Sequence, residues 1–121
     1  MNDAAFLKAL EDGSFPRDAM DHRAHLRLAL IYRGNPQGAR DLLLRYITRI
    51  GGTVRYNETL TQVWLRLVSA HAETTVNALM NTPLADPNLP FLHYSPERLW
   101  SEEARTRFLE PDLQPLPAPL D

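Results

Sequence analysis

The chain has 121 residues, 44% of them hydrophobic and 23% charged, with a formal net charge of −2 and no cysteine. That balance belongs to a folded chain with one real core, and it excludes a disordered polymer or a general attraction to nucleic acid or anionic membranes. The missing thiols exclude disulfides, thiolate metal sites and a cysteine nucleophile. No apolar run approaches the ~18 residues of a membrane span, and Met-Asn-Asp-Ala-Ala-Phe at the start has no basic stretch leading into an apolar one. The expectation is a cytoplasmic protein with neither membrane nor nucleic acid as partner.

In chain order, Asn2 or Asp3 is placed to cap a first helix over Ala4–Glu11, with Gly13 just past its end. Ser14-Phe15-Pro16 breaks it. A second helix opens at Asp18 or Asp21 and runs to about Arg33, where Gly34 is expected to stop it. Asn35-Pro36, a cap followed by proline at the first helical position, starts a third helix that ends at Gly51-Gly52. The fourth helix, about Asn57 to Ala72, carries Leu60, Val63, Trp64, Leu65, Leu67 and Val68 almost all round its axis, the pattern of a helix in the middle of a bundle. A short fifth helix is expected over Glu73–Met80.

After Thr82-Pro83 prolines accumulate and the chain breaks into turns. One helical turn follows Ser95-Pro96 and another runs from about Ser101 to Leu109. Pro111–Asp121 reads as a polyproline-like tail. The expected fold is all-α: a single domain over 1–121, with residues 1–82 a bundle of four to five helices and 83–121 an irregular wrap.

One polar constellation stands out. His22 and His25, three apart, are neighbours on one helix face, roughly 5–6 Å between Cβ atoms, and Ala29 and Tyr32 extend that face. Spacing alone favours two partly exposed histidines bonded to water and backbone over a metal site. Arg55-Tyr56-Asn57-Glu58-Thr59-Leu60-Thr61 opens the apolar fourth helix, where Asn57, Thr61 and Trp64 share a face. Asn57 and Glu58 there read either as a cap with a favourable first-turn charge or as groups reaching across to His22 and His25. His71 reads as a cation at a helix C-terminus. His93 either completes a site or anchors the wrap.

Three stretches together resemble a family of small bacterial helical proteins of unassigned activity. The family pattern reads F-x-H-x-x-H-(L/V)-R, K-Y-H-E-T-x-T, and H-Y-S-x-E-R-L-F-S followed by P-D-L-x-P-L-P. The matching stretches here are Met20–Arg27, Arg55–Thr61, His93–Ser101 and Pro111–Pro117, so the resemblance covers most of the chain from Phe15 onward. It implies a shared site at these positions and names no reaction. Where the pattern has a histidine this chain has Asn57, which implies an altered or weakened site, since a neutral imidazole is the better metal ligand and the only proton carrier of the two.

Two functional readings follow. In the first the chain is a small enzyme with a polar site between helices two and four, working by histidine acid/base or metal-assisted chemistry on a small molecule. His22, His25 and Glu58 are its catalytic residues, and Asn57, Thr61, Arg27, Trp64 and Tyr94 contact substrate. Arg27 or Arg55 pairs with a substrate carboxylate. In the metal version His22, His25, Glu58 and His93 hold one divalent ion, iron or zinc. The alternative is a non-catalytic ligand-binding or protein-interaction module. A homodimer fits either reading.

Overall fold

In a computed structural model, which describes residues 1–120, there are seven α-helices and no strand among the described residues. They are α1 (Asp3–Asp12), α2 (His22–Ile31), α3 (Pro36–Arg49), α4 (Glu58–Ser69), α5 (Val76–Leu79), α6 (Pro96–Leu99) and α7 (Glu102–Thr106). No helix is long and apolar enough to cross a membrane.

The caps explain where the helices begin. Asn2, Asp21, Asn35, Asn57, Thr75, Ser95 and Ser101 each accept a hydrogen bond from the backbone N–H three residues on. Each satisfies a donor that the first turn would otherwise leave unpaired. At the other ends, Gly13 (φ 79°) and Gly51 (φ 75°) take the left-handed conformation that closes α1 and follows α3.

Several boundaries differ from expectation. Gly34 does not adopt a positive φ, and α2 ends at Ile31 instead of Arg33. The chain turns there because the Asn35 N–H donates to the Tyr32 carbonyl at 2.7 Å, and the residue before Pro36 is steered away from helix. The fifth helix covers only Val76–Leu79, because Thr75 supplies its cap. α4 stops at Ser69, short of Ala72.

Two apolar clusters make the interior. Phe6, Leu10, Ala24, Leu28, Ala39, Leu42, Leu43 and Tyr46 bury the contact of α1, α2 and α3. Leu26, Ala29, Val63, Leu67, Val68, Leu79, Leu84, Tyr94 and Leu99 bury α4 against α2 and the C-terminal wrap. α2 thus feeds alternate residues into both, while Leu65 of α4 packs against both.

α4 is the hub, packed against α2, α3 and α7. Its first turn grips the wrap through polar side chains. Asn57 Nδ2 donates to the Leu99 carbonyl at 2.8 Å. The fully buried Thr59 hydroxyl donates to the Arg107 carbonyl at 2.9 Å and accepts from the Leu109 N–H at 3.1 Å. Buried polar groups so paired hold an irregular segment in one register, which apolar contacts alone do less well.

Candidate functional site

Where α2, α3 and α4 diverge, the seam between the two clusters opens into a cavity of about 290 Å³, at the small end of ligand pockets. α2 contributes His22, His25, Leu28 and Ala29; α3 contributes Ala39, Leu43 and Ile47; α4 with its preceding turn contributes Arg55, Tyr56, Asn57, Leu60, Thr61, Trp64 and Leu65; Pro87 comes from the wrap. Leu60, Trp64 and Leu65, which the sequence pattern reads as core, are therefore only partly buried. Their outer sides face the cavity.

His22 and His25 stand in its wall, and backbone carbonyls set both tautomers. His25 Nδ1 lies 2.8 Å from the Asp21 carbonyl and His22 Nε2 lies 2.7 Å from the Leu84 carbonyl. A carbonyl oxygen only accepts, so each of these nitrogens carries the proton. In the neutral ring that leaves an unshared pair on Nε2 of His25 and on Nδ1 of His22. The His22 ring also packs edge-on against Trp64, with centroids 4.6 Å apart. Desolvation in the wall pushes His25 below the usual imidazole range, and neighbouring His22 adds to this, while Asp21 opposes it. His25 is accordingly neutral at pH 7 and able to take up a proton.

Asn57 lines the same cavity, but its amide is committed: Oδ1 accepts from the Leu60 N–H at 2.9 Å and Nδ2 holds the wrap. It is a cap and a brace. Tyr56, unremarked in the sequence reading, places its phenol here as well. Burial pushes it up to about 12, the Thr61 hydroxyl pulling the other way and Glu58 pushing further. The phenol therefore stays protonated and serves as a donor, to Glu58 Oε1 at 2.8 Å.

Glu58 itself is a correction. It does not line the cavity. One residue on from Asn57 the helix has turned through 100°, and the carboxylate points toward α3. There Arg40 Nε and Nη2 both reach it, the latter at 2.9 Å, and Gln62 Nε2 donates at 2.8 Å. Burial pushes its carboxyl up, but the Arg40, Gln62 and Tyr56 hydrogen bonds outweigh this and leave it below the ordinary carboxylate range. A carboxylate so fully engaged is neither a free ligand nor a base.

The remaining site candidates also lie elsewhere. Arg27, on the opposite side of α2 from His22, pairs with Asp3 at 3.0 Å and stacks over the Phe6 ring. Tyr94 is fully buried, its hydroxyl donating to the Leu109 carbonyl at 2.6 Å. His93 Nδ1 is shared between the Gln114 and Pro115 carbonyls, so it anchors the wrap. His71 meets Glu73 at 3.1 Å just beyond α4. The four-residue ligand set of His22, His25, Glu58 and His93 thus does not converge, and no group of three or more His, Cys, Asp or Glu among the described residues is placed to hold a metal ion.

The structure brings together His22, His25, Asn57, Thr61 and Trp64, and adds Arg55, Tyr56 and the α3 wall. Arg55 is exposed at the cavity and has no ion-pair partner among the described residues. No protein-family model, curated protein or solved structure matches the chain.

Proposed function

We propose that the chain is a small enzyme that uses the cavity between α2, α3 and α4 for histidine acid/base chemistry on a small molecule, with His25 as general base. One observation carries the reading: two imidazoles in one apolar cavity, each tied to a carbonyl through one nitrogen and each keeping the other free. A wall that served only to bind has no need of a half-desolvated base whose tautomer is fixed. The depressed affinity of His25 for protons keeps it in the basic form at neutral pH, as a proton acceptor requires. Thr61 supplies a hydroxyl for orienting a substrate, and Trp64 supplies a flat apolar wall. With the proposed ligand set unassembled, acid/base chemistry by the histidines alone is the version we retain.

The same reading takes the chain as a single domain, with a bundle core to residue 82 and a wrap beyond it. We count it with the motif family it resembles, because all three motif regions serve this architecture: two meet at the cavity and the third forms the buried wrap around Tyr94. A cytoplasmic homodimer belongs to the proposal too. The exposed Leu92, Trp100 and Leu113 support the dimer, and light scattering on the purified protein measures its mass directly.

The base is tested with 5-nitrobenzisoxazole, a small apolar probe opened by proton abstraction. The C3 proton goes to the base, its electron pair forms the nitrile, and the N–O bond breaks to a phenolate. Wild type is expected to open it about 10²-fold faster than His25→Ala. Equal rates in the two proteins would overturn the base, and probe binding without rate enhancement would leave only a binding module.

A further inference from the structure

The cavity is unbalanced in charge. Arg55, His22 and His25 line it, and no aspartate or glutamate among the described residues does. The nearest carboxylate in sequence, Glu58, is turned away and neutralised by Arg40 at 2.9 Å. Asp21 spends its side chain on the Ala24 N–H, capping α2. Arg55 meanwhile stands exposed with no ion-pair partner among the described residues, while Arg27, Arg40 and Arg45 each pair with a carboxylate. The rest of the lining is mostly carbon.

From this we infer that the substrate is a small, largely apolar monocarboxylate, its carboxylate on Arg55 and its carbon skeleton against Leu43, Ile47, Leu60 and Leu65. The inference rests on the cavity being the site, as proposed above. A guanidinium matches a carboxylate through two parallel N–H···O bonds, and one guanidinium suffices for one such group. A phosphate asks for more positive charge than the single guanidinium of this lining supplies. A cation would meet the Arg55 guanidinium and no carboxylate among the described residues. The volume of about 290 Å³ suits a body the size of a benzene ring or a short alkyl chain.

The probes are two isosteric pairs, benzoate with benzamide and hexanoate with hexanamide, and the cation benzamidine. Each is titrated into wild type and Arg55→Gln while the ring signals of His25 and Trp64 are followed by NMR. At least one carboxylate is expected to bind about five- to tenfold more tightly than its amide. Arg55→Gln is expected to erase that preference, and raised salt to weaken it. Should the amides bind as well as the acids, or benzamidine bind best, the anionic assignment falls while the cavity stands as the site. If none of the five moves the His25 or Trp64 signals at millimolar concentration, the cavity reading fails and the inference fails with it.

Discussion

Glu58 and His25 lie on facing helices, both carry a titratable group into the interior, and they have opposite fates. Glu58 accepts from Arg40, Tyr56 and Gln62 and has no capacity left. His25 makes one hydrogen bond, to its own helix start, and keeps a free nitrogen beside a cavity. The difference separates two uses of a buried polar group. A fully partnered one holds helices in register, whereas a group left with an open valence in an apolar wall is available for chemistry.

The contrast predicts that stability and function reside on different sides of α4. Glu58→Ala is expected to cost about 3 kcal/mol, because it removes the one carboxylate shared by Tyr56, Gln62 and Arg40 and leaves Arg40 only Asp41. His25→Ala is expected to stay within about 1 kcal/mol, since its only partner sits at a helix end open to water. Urea denaturation of both variants measures this, and a His25 cost as large as that of Glu58 would erase the distinction.

Next in size is the grip on the wrap. Thr59→Val removes a donor and an acceptor from buried carbonyl and amide partners and is expected to cost about 2 kcal/mol. Asn57→His tests the family pattern at the same helix start. The imidazole loses the cap and the brace to Leu99, so thermal stability should drop by about 1–2 kcal/mol. Zinc should not restore it if position 57 serves only as cap and brace. Metal-dependent recovery of the melting temperature would reopen the metal version.

The two groups should also announce themselves at different pH. Folding lowers the proton affinity of His25, so the native state binds fewer protons there than the unfolded chain. Its contribution is complete above the unfolded imidazole value of about 6.5 and declines as pH falls below it. Glu58 behaves the same way from about 4.3 downward. Stability measured against pH should show two acid steps, the upper absent in His25→Ala and the lower reduced in Glu58→Gln, where Glu11, Asp12 and Asp112 still contribute. Tyr56→Phe is expected to cost only about 1 kcal/mol, since Arg40 and Gln62 still hold the carboxylate.

Much of this was legible from local pattern. The caps at Asn35, Asn57 and Ser101 follow from side-chain oxygens set before helical runs, and the 3.6-residue period correctly grouped His22 with His25 and Asn57 with Thr61 and Trp64. The same period argued against two of the expected site residues. Glu58 lies 100° from Asn57 and shares its stripe with Gln62, which it does hydrogen-bond; Arg27 sits five residues from His22, on the far side of α2. What no local pattern contains is the partner across space. Arg40 lies eighteen residues from Glu58 and Leu84 sixty-two from His22, and those contacts decide which polar groups are spent. Tyr56 was missed for the same reason, and Ala39, Leu43 and Ile47 of α3 look like ordinary core until the helices are seen to diverge.

The hydroxyl of Thr59 meets Leu109 across fifty residues of chain. Such an encounter is slow for a polymer, because the loop must close before anything rewards it. During synthesis α4 emerges long before the segment that covers its buried flank. A nascent chain stopped near residue 100 would lack α7 and leave the Thr59 hydroxyl without either of its partners. The pairing of Thr59 with the wrap is therefore expected to be a late step of folding.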